Sequence, residues 1–307
     1  MKYNELGKTG LKVSKVGLGG SSLGGVFKKV DEKEAIRTVY TALDHGVNFI
    51  DTAPAYGNLK AETVLGKALK QIPREKYFLS TKTGKYGTEA FDFSYQRIIE
   101  EVEKSMQRLH VDYFDILHLH DFEFQGGVHR EQALNEGYKA LVDLQKEGKA
   151  RHIGIGIYPV DWILEILQSH EFQAVICHNH HTLSDSRLLE LLPIVEAQNI
   201  GLINAAPMGM GLLTSKGPAS WHPVKEEDMH VFEDAVAYCR KHGMPIEKLA
   251  MQYSVHHESI PTTLVSTANS KEILQNITWV SEELDWDLVD EVQEILEPVM
   301  NKDWIVG

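Results

Sequence analysis

Asp51 and Tyr56, five positions apart in FIDTAPAYG, stand in one chain with Lys82 at the end of YFLSTK and His120 at the end of FDILHLH. These are the residue types of a proton-transfer device. A phenol with an ordinary pKa of about 10 exchanges protons poorly at neutral pH. A neighbouring ammonium favours the phenolate, so Lys82 is expected to lower the pKa of Tyr56. Asp51 would hold that ammonium in an ion pair, and His120 would donate to a carbonyl oxygen and orient it. Four such groups would interconvert an alcohol and a carbonyl, provided something supplies hydride. Asp51 and Tyr56 taken alone are as easily a capping acid and a half-buried ring. The presence of Lys82 and His120 is what turns the reading towards chemistry.

Short apolar runs, each followed by an amphipathic stretch, would have to position these residues. Strands are expected at Lys15–Leu18, Asn48–Thr52, Tyr77–Lys82, Phe114–His120, His152–Tyr158, Ala174–Asn179, Gly201–Ala206 and Thr262–Ser266. Helical spacing recurs between them. It marks Asp31–His45, with an Asp cap and Gly46 beyond, a stretch after Gly57 through Leu69, and Ser94–Leu109. It continues at Ala140–Gln145, Trp162–Leu167, Arg187–Gln198, Val231–His242, Ser270–Val280 and Asp287–Leu296. Residues 1–15 look like a hairpin around Lys8-Thr9-Gly10. No two-residue turns join the later strands, so crossover helices and parallel pairing follow. Asp51 and Lys82 are 31 residues apart, and Lys82 and His120 are 38 apart, about one βα unit each. An open doubly wound sheet would carry G-x-G-x-x-G after its first strand; Leu18–Gly25 is glycine-rich without that spacing. The expected fold is a single (β/α)8 TIM barrel over residues 1–307, with an N-terminal hairpin and a C-terminal helix and tail. Asp51, Lys82 and His120 then share the C-terminal rim, where such barrels place their chemistry.

The composition agrees with an enzyme of small molecules. A net charge of −13 disfavours nucleic acid and anionic membrane surfaces as partners. The two cysteines, Cys177 and Cys239, suit reduced structural thiols, and no stretch reads as a signal peptide or membrane span. A cytoplasmic monomer or homodimer is the expectation.

The chain resembles the aldo-keto reductase family over nearly its whole length. The likeness runs through LGKTGLKVSKVGLGG, FIDTAPAYG with its following E-x-x-LGKAL, STK, RLHVDYFDILHLHD, LQKEGKARHIGIG and APMGMGLLT. It implies Tyr56 as catalytic acid/base, Asp51 and Lys82 as its tuners and His120 as the carbonyl orienter. A nicotinamide dinucleotide would lie across the barrel mouth. Its contacts are implied at Gly20, Asp51, His178, Ala206, Met208, Gly211, Ser266, Thr267, Ala268, Asn269, Glu272, Gln275 and Asn276. Within the family the likeness points to the L-galactose dehydrogenase and aldose 1-dehydrogenase branch, through HDFEF, PMGMGLLTSKGPASWHP and ILEPV with N-x-x-W. That branch implies oxidation of an aldose at C1 to the lactone, with Tyr56, His120, Phe122, Trp221 and Trp304 around the sugar. The chain departs from the common pattern at three places. Gly156-Ile157 replaces Ser-Asn, the usual Gln is replaced near His178, and Ala205 takes the place of the ring-stacking aromatic. The basic contacts to an adenosine 2′-phosphate fall on Ser266 and Glu272. A carboxylate there repels that phosphate and accepts from a free ribose hydroxyl, so NAD is expected over NADP. As a first-turn helix acid, Glu272 is also explained by the helix dipole alone.

Other functions compete with this one. A general NADPH-dependent aldehyde or ketone reductase would use the same residues in the other direction. His118 and His120 point the same way on one strand and could serve a metal-dependent barrel hydrolase, though no carboxylate ligand set accompanies them. A non-catalytic binding subunit is the third possibility. His256-His257 are expected on a helix face, and the Lys225–Asp228 charges on a solvated surface.

Overall fold

In the computed structural model, which describes residues 1–304, eight parallel strands close into a barrel in the order β10-β3-β4-β5-β6-β7-β8-β9. They are β3 (Val16–Gly19), β4 (Phe49–Asp51), β5 (Phe78–Thr83), β6 (Phe114–His120), β7 (Ala150–Gly156), β8 (Ala174–His178), β9 (Gly201–Ala205) and β10 (Thr262–Ser266). Their residues are buried on both faces almost throughout, as expected of a parallel sheet covered by helices. Two shorter strands, β1 (Tyr3–Glu5) and β2 (Lys12–Ser14), form the antiparallel hairpin. Between them Leu6 packs against Gly201, the first residue of β9, and joins Phe49, Ile116, Ile203 and Leu264 in one apolar cluster. The hairpin therefore plugs the end of the barrel where the strands begin. The opposite end is left for chemistry.

The helices are α1 (Glu32–Asp44), α2 (Lys60–Leu69), α3 (Tyr95–Leu109), α4 (Arg130–Gln132), α5 (Tyr138–Lys146) and α6 (Val160–Ser169). They continue as α7 (Leu192–Ala197), α8 (Glu226–Lys241), α9 (Ile246–His256), α10 (Ser270–Trp279) and α11 (Trp286–Leu296). Asp31 caps α1 by accepting from the Glu34 amide at 2.9 Å, and α3 buries Ile98, Val102, Met106 and Leu109 on one face. Glu62 ties α2 and α3 to the barrel: fully buried, it accepts from Thr81 at 2.8 Å and from Arg108 at 2.7 Å.

Several sequence expectations need correction. The segment 187–198 is a 3-10 turn (Arg187–Leu191) followed by the short α7, with Pro193 in the first turn of α7, where its missing N–H costs nothing. Helix α9 has no counterpart among the expected helices; His256 ends it and His257 follows as its cap. The acids after Lys225 form the first turn of α8, where they complement the helix dipole. One of them, Asp228, is buried and accepts from Lys302 at 2.6 Å, so that run is not all solvated surface. No helix among the described residues is long and apolar enough to cross a membrane.

Candidate active site

Asp51 ends β4, Lys82 lies near the end of β5 and His120 ends β6, all three buried at the rim. Tyr56 reaches them from the loop before α2. That loop winds tightly: the Tyr56 amide donates to the Ala53 carbonyl at 3.2 Å, and the Ala61 amide donates to the Tyr56 carbonyl at 3.1 Å. Gly57 adopts φ +61°, and a Cβ there would lie 2.2 Å from the Gly24 carbonyl oxygen, so only glycine lets the loop descend this far. Lys82 donates to Asp51, and to the Thr52 carbonyl at 2.9 Å; Asp51 also accepts from Ser80 Oγ at 2.8 Å. The Lys82 ammonium lies 4.7 Å from the centre of the Tyr56 ring, and the His120 ring meets that ring edge-on at 5.8 Å. Four side chains drawn from distant parts of the chain thus share one small volume.

The electrostatics differ from expectation at one point. Burial is the largest influence on Tyr56 and holds its phenol above the ordinary value; Lys82 opposes this and Asp51 partly cancels Lys82. The phenol is therefore protonated at neutral pH. Burial alone would discharge Lys82, but Asp51 and Tyr56 outweigh it and raise its pKa, so the ammonium persists. His120 is held well below the ordinary histidine value, chiefly by burial, and is neutral. His118 occupies the layer below, fully buried, with its pKa lowered to about 3 by burial and then by Lys82. Room for His118 comes from Gly154, where a Cβ would lie 2.4 Å from its Nδ1. Among the described residues no three His, Cys, Asp or Glu side chains converge as metal ligands, so the donors a barrel hydrolase needs are not assembled around His118 and His120.

Some rim groups escaped the sequence reading. Asp121, directly after His120, lies with Oδ1 3.2 Å from His120 Nε2 and Oδ2 2.8 Å from Lys85 Nζ. Glu123 accepts from the Tyr158 amide at 2.7 Å and leaves its Oε2 buried without a partner. Burial and then the Asp121 charge raise its carboxyl to about 8. Asn179, after β8, is buried at φ +66° with neither amide atom hydrogen-bonded. Two acids in HDFEF were the available signal for the first pair; nothing in the order of residues marks Asn179.

Cofactor candidates are distributed around the same rim. The orphaned amide of Asn179 offers one donor group and one acceptor, the complement of a nicotinamide carboxamide, so the site fits a nicotinamide dinucleotide. Beside it His178 ends β8, its pKa lowered to about 4 by burial. Ala205 leaves the end of β9 partly open, and Ala206 follows at φ +59°. Met208 and Gly211 lie in the tight turns beyond, the Gly211 amide donating to the Met208 carbonyl at 3.0 Å. Gly20 donates to the Asp51 carbonyl at 2.7 Å, tying the first barrel loop to the end of β4. The Ser266 hydroxyl is engaged internally: it donates to the Gly19 carbonyl at 2.9 Å and accepts from the Ser22 amide at 2.8 Å. Thr267 donates to Glu272 at 2.6 Å, Asn269 caps α10, and Ala268 packs into the core. On α10 Gln275 is exposed and Asn276 buried. Of the residues expected near a sugar, Phe122 must be set aside: it has no exposed surface and packs edge-on against Phe93 at 6.1 Å. Trp221 is exposed and stacks on Phe27 at 5.9 Å, bridging the loops after β9 and β3. Trp304 is half-buried beside His222 and Phe232.

Comparison with known proteins gives concordant matches. The profile of the Aldo/keto reductase family matches residues 15–297. An L-galactose dehydrogenase of Arabidopsis thaliana is 42% identical, the alignment covering 100% of this chain and 98% of that protein. A D-arabinose 1-dehydrogenase of Saccharomyces cerevisiae is 29% identical, over 96% of this chain and 94% of its own length. Among solved structures, the holo form of an aldo-keto reductase from Bacillus halodurans superposes with a TM-score of 0.78 at 26% identity, covering 96% of each chain.

Proposed function

Because this chain belongs to the aldo/keto reductase family and so is an NAD(P)-dependent oxidoreductase, we propose that it oxidises an aldose at C1 to the lactone, with Tyr56 as proton acceptor. The observation that carries this reading is the meeting of Tyr56, Lys82, Asp51 and His120 at one rim. The sugar substrate is supported by the 42% identity to an L-galactose dehydrogenase. Bound nicotinamide supplies the hydride acceptor.

The chain's own residues handle the proton. Tyr56 Oη takes it from the anomeric hydroxyl. Lys82, kept charged by Asp51, compensates the phenolate that must exist beforehand. Neutral His120 holds the reacting oxygen against Tyr56, and the buried setting keeps these interactions strong. Burial raises the phenol, so oxidation draws on a minor phenolate population and speeds up as pH rises.

NAD is the preferred cofactor in this reading. The N-terminus of α10 is flanked by two carboxylates: Glu34 accepts from the Ser270 amide at 2.9 Å, and Glu272 accepts from Thr267. A 2′-phosphate placed there would meet like charge. Lys216, 3.9 Å from Glu272 and largely exposed, is too screened to reverse this. The test is steady-state oxidation of L-galactose, L-fucose, D-arabinose and other pentoses with NAD and with NADP. Lactone formation with a lower KM for NAD is expected; turnover of simple aldehydes alone, or a preference for NADP, would defeat the corresponding part.

A further inference from the structure

We propose that Asp121 and Lys85 form a hydroxyl-reading subsite that selects substrates bearing a hydroxyl on the carbon next to the reacting one. The inference rests on the aldose reading above and names how the sugar is recognised. Asp121 takes φ +54°, a left-handed conformation that an aspartate tolerates better than most residues, and its amide donates to the Gly156 carbonyl at 3.0 Å. That turn brings its carboxylate beside the catalytic histidine, with Oδ1 3.2 Å from His120 Nε2. Lys85 secures the other oxygen at 2.8 Å, while its ammonium sits 3.6 Å from the centre of the Phe124 ring. Both side chains are close to nine-tenths buried.

Two desolvated charges here carry far more hydrogen-bonding capacity than their single mutual bond uses. A carboxylate has about four lone-pair sites and an ammonium three protons. Beyond the contact of Asp121 Oδ1 with His120 Nε2 at 3.2 Å, neither side chain meets another hydrogen-bond partner among the described residues. Elsewhere in a protein such unused capacity is a cost. Beside the reacting atoms it is what a substrate with adjacent oxygens would fill. A simple aldehyde offers one oxygen, taken by Tyr56 and His120. An aldose offers a second, one carbon away, within reach of a carboxylate that already touches the histidine. Asp121 would accept from that hydroxyl and Lys85 would donate to it or to its neighbour, over an aromatic platform.

The rival account is that Asp121 only orients His120, in which case every substrate suffers equally. Asp121→Asn, which keeps shape and tolerance of the left-handed backbone, and Lys85→Met separate the two. The readout is kcat/KM for L-galactose divided by that for its 2-deoxy counterpart. The ratio is expected to fall at least tenfold in each variant, whichever way the absolute rates move. Equal losses on both sugars would leave Asp121 as a positioning residue and overturn the subsite. A 1,5-anhydroalditol, which keeps the ring hydroxyls but cannot react, gives a readout independent of sugar turnover. Its inhibition constant against simple-aldehyde reduction should rise about tenfold in both variants. If the unaltered enzyme oxidises no aldose yet shows this inhibition pattern, the proposed reaction falls and the subsite stands. If the unaltered enzyme is not inhibited, or inhibition is the same in the variants, the subsite falls whatever the reaction.

Discussion

Glu123→Gln should make the protein more resistant to unfolding at alkaline pH and leave it nearly unchanged in acid. The carboxyl of Glu123 has its pKa raised to about 8 by burial and by Asp121, against an ordinary value of about 4.3 in the unfolded chain. The sign follows from proton binding. Below about pH 4 both states hold the proton and Glu123 is neutral with respect to stability. As pH rises towards 8 the unfolded chain releases its proton while the folded chain keeps it, so the fold loses ground steadily. Above that value both states are ionised and the loss is constant. Converted at about 1.4 kcal/mol per pH unit, the full loss approaches about 5 kcal/mol, a large part of a typical folding free energy. Glutamine is isosteric, never ionises and can still accept from the Tyr158 amide, the one bond Glu123 makes through Oε1. Urea unfolding of both proteins from pH 5 to pH 9 reads the difference directly, because titrating groups remote from Glu123 cancel. The stability of the variant relative to the parent should grow across pH 5 to 8 and then level off. Two parallel curves would show that Glu123 titrates normally and that its surroundings are wetter than described.

Two further substitutions probe the rim. Lys82→Met removes the cation from a buried pair and leaves Asp51 with Ser80 as its remaining side-chain donor. Stability should drop by about 3–5 kcal/mol, measured by urea unfolding, together with at least a hundredfold loss of turnover. Asn179→Gly keeps the left-handed backbone but deletes an amide that has no hydrogen-bond partner among the described residues. It should weaken nicotinamide dinucleotide binding about tenfold by fluorescence titration while the melting temperature stays within a few degrees.

What could be read from the sequence follows the physics of each signal. The barrel was legible because eight apolar runs alternating with helical periodicity allow few arrangements, and the bounds of β6 and β10 coincide with the expected ones. Asp51, Lys82 and His120 were placed by strand ends, which a parallel barrel gathers at one rim. Helix α9 was missed because Leu249, Ala250, Met251, Gln252, Ser254 and Val255 are all buried; a helix covered on most sides has no polar stripe to show its period. The protonation of Tyr56 was missed for a related reason. The type and proximity of Lys82 were inferable, but the depth of burial that outweighs it depends on the loop carried down by Gly24 and Gly57. Asp121, Asn179 and Ala206 each leave a strand in a left-handed turn, and the order of residues alone does not show that such turns set the Asp121 and Asn179 side chains at the rim. Phe122 was misjudged because its neighbours in HDFEF line the rim while its own ring turns into the core against Phe93.

The claim that matters most is that one phenol moves the proton. NAD-linked oxidation of L-galactose by Tyr56→Phe, with cofactor affinity measured on the same preparation, tests it without disturbing Lys82, Asp51 or His120. The account predicts that turnover falls at least a hundredfold while the dissociation constant for the cofactor stays within about threefold. Turnover equal to that of the unaltered enzyme would contradict it.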